Sequence, residues 1–248
     1  MPNPQIINQN SIQWVFPTEA DRLAYSPLPT DRFKVAFVQY TSLSYILSSV
    51  SPAEWVPYAG PVGWKDLLGA VRPKITGAGS PTLAVLTGNV KAFNYAVGEE
   101  GDNDYHLPHD YLPGSDLFLH PHWTHNGTNI SGSFAMDIFM TYAKGHQQAS
   151  FHAEKILTIT DSALTIANTP SLFHRIPEMQ MSTPGGSASQ LDTDILEVDG
   201  MIILHYDVTA IPTITGGTGK PFILTLDIHY QSTNLTTPQK APNFYLPN

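Results

Sequence analysis

The residues best suited to chemistry are three histidines and an aspartate on two separate stretches of chain. The first stretch is Gly114-Ser115-Asp116-Leu117-Phe118-Leu119-His120-Pro121-His122-Trp123-Thr124-His125. On an extended strand, residues two apart face the same side and lie about 7 Å apart. His120 and His122 therefore point together, with Phe118 and Thr124, while Leu119, Pro121 and Trp123 point the other way. The second stretch, Thr225-Leu226-Asp227-Ile228-His229-Tyr230, alternates in the same manner. Leu224, Leu226, Ile228 and Tyr230 make an apolar face; Thr225, Asp227 and His229 make a polar one. If the two strands are neighbours in one sheet, His120, His122, Asp227 and His229 form a single imidazole–carboxylate patch. Such a patch suits Zn²⁺, Fe²⁺ or Ni²⁺. His120, His122 and His229 are thus the candidate metal ligands, and the cofactor they would hold is a structural transition metal, within one chain or shared between chains. The competing expectation is a set of hydrogen-bonded histidines packed inside a sandwich or at a symmetry axis. A structural role takes precedence over a catalytic one, because neutral histidine is common in both packed and ligating positions.

The elements that must position these residues are strands. Only 13% of the 248 residues are charged, against about 25% in an average domain. The 21 prolines exceed the usual share of about 5%. Low charge with abundant Pro, Ser, Thr, Asn and Gly fits short strands joined by turns and does not fit helix bundles. There is no cysteine, which excludes a disulfide scaffold, thiolate zinc sites and a cysteine nucleophile. The net charge of −9, with no cluster of Lys and Arg, disfavours nucleic-acid binding driven by phosphate contacts. The apolar runs are too short to span a bilayer, so no membrane insertion is expected, and residues 1–10 lack the apolar core of a secretory signal.

Four segments can be separated. Residues 1–60 read as a small α/β-hairpin module. Within it Thr18 N-caps a short helix that starts at Glu19, strands at 34–40 and 44–47 form a hairpin, and Trp55 caps the sheet. An isolated hairpin is marginal in water, so the module must dock on something. Residues 61–105 read as a Gly/Pro-rich connector with strands at 81–86 and 90–97 and an acidic turn at 99–104. Residues 106–235 carry strand candidates at 117–124, 133–142, 150–158, 164–167, 195–207 and 221–231. These argue for a jelly-roll-like antiparallel β-sandwich in an all-β protein. Residues 236–248 read as an extended C-terminal arm.

Other signals are weaker. Gly216-Gly217-Thr218-Gly219-Lys220 lacks the first glycine and the Ser/Thr of a phosphate loop, and reads as a turn before the last strand. Asp192, Asp194, Glu197 and Asp199 miss the spacing of a calcium loop and read as solvated turns. Tyr105, Tyr111, Trp123 and Tyr142 have the chemistry to stack on sugars, with core packing as the default. The sequons at Asn126, Asn129 and Asn234 read as chance. Gly114 followed after five residues by His120-Pro121-His122 resembles the first half of the cupin motif. No Glu follows at the required spacing, where Asn126 stands near, and the second cupin motif is missing around His229.

Two blocks together resemble a family of tailed-bacteriophage virion proteins: Leu107-Pro108-His109-Asp110-Tyr111-Leu112-Pro113-Gly114-Ser115-Asp116-Leu117-Phe118-Leu119-His120-Pro121-His122-Trp123, and Leu226-Asp227-Ile228-His229-Tyr230-Gln231. Leu119 stands where the family more often has Pro, and the tail after Gln231 differs. Ala20-Asp21-Arg22-Leu23-Ala24, Lys34-Val35-Ala36-Phe37-Val38-Gln39, Tyr45-Ile46-Leu47 and Ser51-Pro52-Ala53-Glu54-Trp55 resemble modules of phage fibre proteins. The resemblance implies a β-rich, non-enzymatic virion component, trimeric, assembled in the host bacterial cytoplasm. Its partners would be copies of itself and the major capsid protein or tail proteins. Head decoration or a short head fibre is the first expectation. A tail fibre that binds host surface glycans through loops such as 123–131 or 184–190 is the second. A cupin-like metalloprotein using His120, His122 and His229 is the third.

Overall fold

The computed structural model describes residues 14–31, 34–39, 43–51, 53–57, 63–232, 237, 239–242 and 244. Residues 1–10, the hairpin turn at Thr41-Ser42, the sequon at Asn234 and most of the expected arm lie outside the described residues. The protein is all-β, a jelly-roll-like antiparallel β-sandwich accompanied by a small N-terminal α/β module. The chain divides into two units, Met1–Gly63 with Ser232–Asn248, and Trp64–Gln231.

In the smaller unit the elements are β1 (Trp14–Phe16), α1 (Glu19–Leu23), a 3-10 turn (Pro29–Asp31), β2 (Val35–Val38), β3 (Leu43–Val50) and β4 (Ala53–Pro57). The helix begins where the sequence sets it. The Asp21 N–H donates to Thr18 Oγ1 and the Thr18 N–H donates back to the Asp21 carboxylate, a reciprocal capping box. The expected hairpin β2–β3 gains a parallel partner in β1 and an antiparallel one in β4, giving a four-stranded sheet. Trp14, Phe16, Ala36 and Val38 form its core, with Tyr25, Tyr45 and Trp55 against them. Trp55 meets Trp14 and Phe16 edge-on at 6.1 Å. The apolar Trp14 and Phe16, two apart on one strand, supply the partner that a bare hairpin lacks.

The larger unit holds β5 (Gly63–Leu67), β6 (Arg72–Pro73), β7 (Thr82–Thr87), β8 (Val90–Asn94), β9 (Glu100–His106), β10 (Phe118–Thr124) and β11 (Asn129–Ala143). It continues with β12 (Lys155–Thr165), β13 (Met179–Gln180), β14 (Ser182–Thr183), β15 (Leu191–Asp192), β16 (Met201–Ala210), β17 (Thr213–Thr215) and β18 (Phe222–Ser232). Among the described residues, one sheet runs β13-β10-β18-β8-β7 with β5 beside β18. The other runs β12-β11-β16-β9-β6 with β17 beside β11. Consecutive strands such as β8, β9, β10 and β11 alternate between the sheets, as a Greek-key sandwich requires. Aromatic residues bridge the layers. The Trp123 ring stacks on Phe134 at 5.0 Å, and the Tyr95 and Tyr206 hydroxyls meet at 2.9 Å.

Three expectations need correction. The stretch 61–105 is no connector beyond its first residues: from Trp64 onward it lies in the larger unit and supplies strands to both sheets. The acidic segment at 99–104 is the start of β9, not a turn. Gly101, Asn103 and Tyr105 point inward while Asp102 and Asp104 face solvent, a period of two that the acids obscure. Strands expected at 150–158 and 195–207 begin late, at Lys155 and Met201. Asp199 takes the left-handed conformation, φ 62°, which stops a strand there.

Candidate functional site

β10 and β18 are antiparallel neighbours, with Phe118 opposite His229, His120 opposite Asp227 and His122 opposite Thr225. The alternation read from sequence therefore places His120, His122, Asp227 and His229 on one face. The ladder then slips between His122 and Trp123: Trp123 pairs with Ile223, and Leu224 is left as an extra residue on β18. Trp123 turns inward, where its Nε1–H donates to Asp161 at 3.1 Å. Arg175 holds the same carboxylate through two further bonds.

The imidazoles crowd one another. The rings of His120 and His229 stack at 3.8 Å between centroids. His122 Nε2 lies 3.2 Å from His120 Nδ1, and His122 Nδ1 lies 2.8 Å from His174 Nε2. His229 Nδ1 is 2.5 Å from Glu178 Oε2, and His229 Nε2 is 2.8 Å from Asp66 Oδ1. Asp227 is buried. Its Oδ1 accepts the Gly69 N–H at 2.9 Å, and its Oδ2 lies 3.3 Å from both His122 Nε2 and the Thr225 hydroxyl.

Gly69 is required for this approach. A Cβ there would lie 2.0 Å from the Leu226 carbonyl oxygen and 2.3 Å from the Tyr105 hydroxyl. Only glycine lets the chain after β5 pass so close to β18, and that passage brings Asp66 to the histidines.

His120 is 2% exposed, and its Nε2 has no hydrogen-bond partner. Burial, aided by the imidazoles of His229 and His122, pushes its pKa down to about 4, against the pull of Asp227 and Asp66. Burial also lowers the pKa of His122, although the Asp227 carboxylate opposes it. Both rings are held neutral at pH 7. His125 differs from His120 in its hydrogen bonding. It is fully buried, yet its Nε2 bonds the Thr169 carbonyl at 2.9 Å and its Nδ1 accepts the Gly127 N–H at 3.1 Å, so it is a satisfied core histidine.

All three sequence-predicted ligands come together, although not in equal roles. His122 has both nitrogens engaged by other side chains, so it backs His120. Asp66 stands in its place: Asp66, His120 and His229 offer donor atoms within 4.8 Å of one another. Asp66, His174 and Glu178 were not visible from sequence. Gly63-Trp64-Lys65-Asp66-Leu67 carries no clear alternation, and His174 and Glu178 sit in irregular chain around Ile176-Pro177.

The remaining candidates resolve into structure. Tyr105, Tyr111, Trp123 and Tyr142 are all buried, so none of them is available to stack on a sugar. The loop expected to use Trp123 for glycans therefore loses its aromatic. Asp192 and Asp194 cap backbone N–H groups of their own turn, Glu197 pairs with Lys144 and Gln148, and Asp199 binds three histidines. The 216–220 segment is the turn before β18, with the Thr218 N–H donating to Asn126 Oδ1 at 2.9 Å.

The fold and the cluster together define a jelly-roll-like β-sandwich that carries a partly buried imidazole–carboxylate patch on one sheet. No protein-family model and no curated protein matches the sequence. Solved structures with a related arrangement include a xylan-binding module, CBM15, at 6% identity and TM-score 0.31, covering 68% of this chain and 97% of that one. A non-crystalline cellulose specific carbohydrate-binding module, CBM28, follows at 12% identity and TM-score 0.29, covering 60% and 78%. The family 11 carbohydrate-binding module from Clostridium thermocellum has 14% identity and TM-score 0.28, covering 68% and 89%. The likeness is one of all-β architecture alone.

Proposed function

We propose that this chain is a non-enzymatic, oligomeric structural protein on the exterior of a tailed-bacteriophage virion, a head-decoration protein or short head fibre. The observation that carries this reading is the pairing of the two blocks on which the family resemblance rests. The two blocks are about a hundred residues apart, yet Phe118 to Pro121 of the first pair residue for residue with His229 to Leu226 of the second in one sheet. The resemblance thus follows a single physical unit. The histidines of that unit lie along paired strands and are tied to one another and to neighbouring side chains, as parts that fix a shape.

Assembly is supported by the edge hairpin β7–β8, whose Leu83, Val85 and Val90 are all exposed. An apolar edge strand invites pairing, and burial against a second copy relieves it. Homotrimers seated on a capsid or tail protein, formed in the bacterial cytoplasm and carried on the virion, fit this surface.

One observation favours a receptor-binding role as a second reading. Trp64 is half exposed, edge-on to Phe118 at 5.5 Å and beside His229 and its carboxylate neighbours. An exposed indole flanked by polar groups is a platform for a glycan.

Antibodies against the recombinant chain, applied to purified particles, test both readings. Hundreds of copies over the head support decoration. A few copies at the tail, with adsorption blocked by the free protein, support host attachment. Particles that contain none of the chain overturn both.

A further inference from the structure

We infer that Asp66, His120 and His229 form a three-ligand site for a divalent transition ion of the zinc type, with the fourth position left open. The donor distances fit one ion. Asp66 Oδ1 lies 2.8 Å from His229 Nε2 and 3.7 Å from His120 Nε2. Metal–ligand bonds of about 2.0–2.2 Å in a tetrahedron put neighbouring donors about 3.4 Å apart. The two distances bracket that value, and Asp66, half exposed, needs only a small carboxylate rotation to equalise them.

A ligating imidazole is normally fixed by a hydrogen bond at its other nitrogen. Here His229 Nδ1 is tied to Glu178 and His120 Nδ1 to His122, which leaves both Nε2 atoms turned toward Asp66. With His120 Nε2 as the lone-pair nitrogen, its Nδ1–H donates to His122 Nε2, and the Nδ1–H of His122 donates to His174. Each proton in this relay has an acceptor, and the relay ends on an exposed ring.

His120 Nε2 is buried and unpartnered, while both nitrogens of the equally buried His125 are bonded. A buried polar atom without a partner is costly, and a cation directly in front of this one would remove the cost. Two nitrogens and one carboxylate oxygen select borderline ions such as Zn²⁺, Co²⁺ or Ni²⁺ over Ca²⁺ and Mg²⁺, which prefer oxygen alone. The site joins β10, β18 and β5, so an occupied site clamps three strands of one sheet.

The experiment titrates Zn²⁺ alone, and separately Co²⁺ alone, into the untagged, chelator-stripped chain. It reads affinity by competition with a chromogenic chelator and stability by thermal unfolding. The wild type is expected to take one Zn²⁺ per chain, to gain thermal stability up to one equivalent and to give a tetrahedral Co²⁺ spectrum. Asp66→Ala and His229→Ala change partly exposed side chains, keep the fold by circular dichroism, and are each expected to weaken Zn²⁺ binding at least 100-fold. Glu178→Gln is expected to weaken it about 10–100-fold through the ring it orients. His205→Ala, in the other sheet, leaves it unchanged. Absence of stoichiometric binding, or equal binding by the wild type and the Asp66→Ala/His229→Ala double variant, overturns the inference. Either result leaves the virion reading standing.

Discussion

Around Asp199 three imidazoles converge on one carboxylate. His106 and His109 reach its Oδ1 at 3.0 and 3.2 Å, and His146 reaches its Oδ2 at 2.5 Å. Around His120 the stoichiometry is reversed: imidazoles face one another, two of them stacked, with carboxylates at the margins. The Asp199 histidines are each at least a third exposed, whereas His120 is sealed. Burial raises the Asp199 pKa, but the hydrogen bond from His146 and the charges of His109, His106 and His146 outweigh it and leave the carboxyl below its ordinary value. At His120, burial acts in concert with its imidazole neighbours, and the pKa falls to about 4. Surroundings, not residue type, decide whether a histidine cluster is an exposed electrostatic clip or a desolvated core that favours a cation.

The largest effect is expected from Gly69→Ala. The new Cβ would push β18 away from the chain carrying Asp66, at a cost of about 3 kcal/mol in urea unfolding. It should also abolish Zn²⁺ binding. No cost would show that the close approach is not required. His120→Ala comes next, at about 2–3 kcal/mol, because it empties a packed position beneath a stacked ring.

The acid limbs of stability should separate the clusters. His120 has a folded pKa below its ordinary 6.5, so the unfolded chain binds the proton more readily. Its contribution is fully present above pH 6.5 and is lost as pH falls toward about 4. The loss amounts to about 3 kcal/mol without metal. Asp199 also has a lowered folded pKa, so its contribution is present above 3.8 and is lost only below it. Asp199→Asn should therefore weaken the limb below pH 3.8, to which Asp31 and Glu100 also contribute, and leave the upper one. Loss of both limbs would mean that the clusters are coupled. The smallest effect is expected from His146→Ala, under about 1 kcal/mol, as for other exposed pairs. A cost near that of His120→Ala would end the distinction.

Much of this was legible from sequence where a period of two was clean. The alternation in 118–122 and 225–229 placed His120, His122, Asp227 and His229 on one face, and the β10–β18 register agrees. Thr18 marked the helix start because its reciprocal bonds with Asp21 are local. Asp66 could not be found that way. Its position depends on a bare Gly69 lying against Leu226, a contact 157 residues away in sequence. β9 was hidden because acids occupy its outer face, and β16 starts late because Asp199 takes a left-handed turn that composition does not announce.

The extra residue at Leu224 has one more consequence. By adding one to the count, it changes the parity of β18 midway, so that Ile223 rejoins the greasy layer with Trp123 while Thr225, Asp227 and His229 keep theirs. The halves of the strand are thereby uncoupled. With it, each half keeps its own phase; without it, Ile223 would directly precede Thr225 and the two halves would run on in one unbroken alternation.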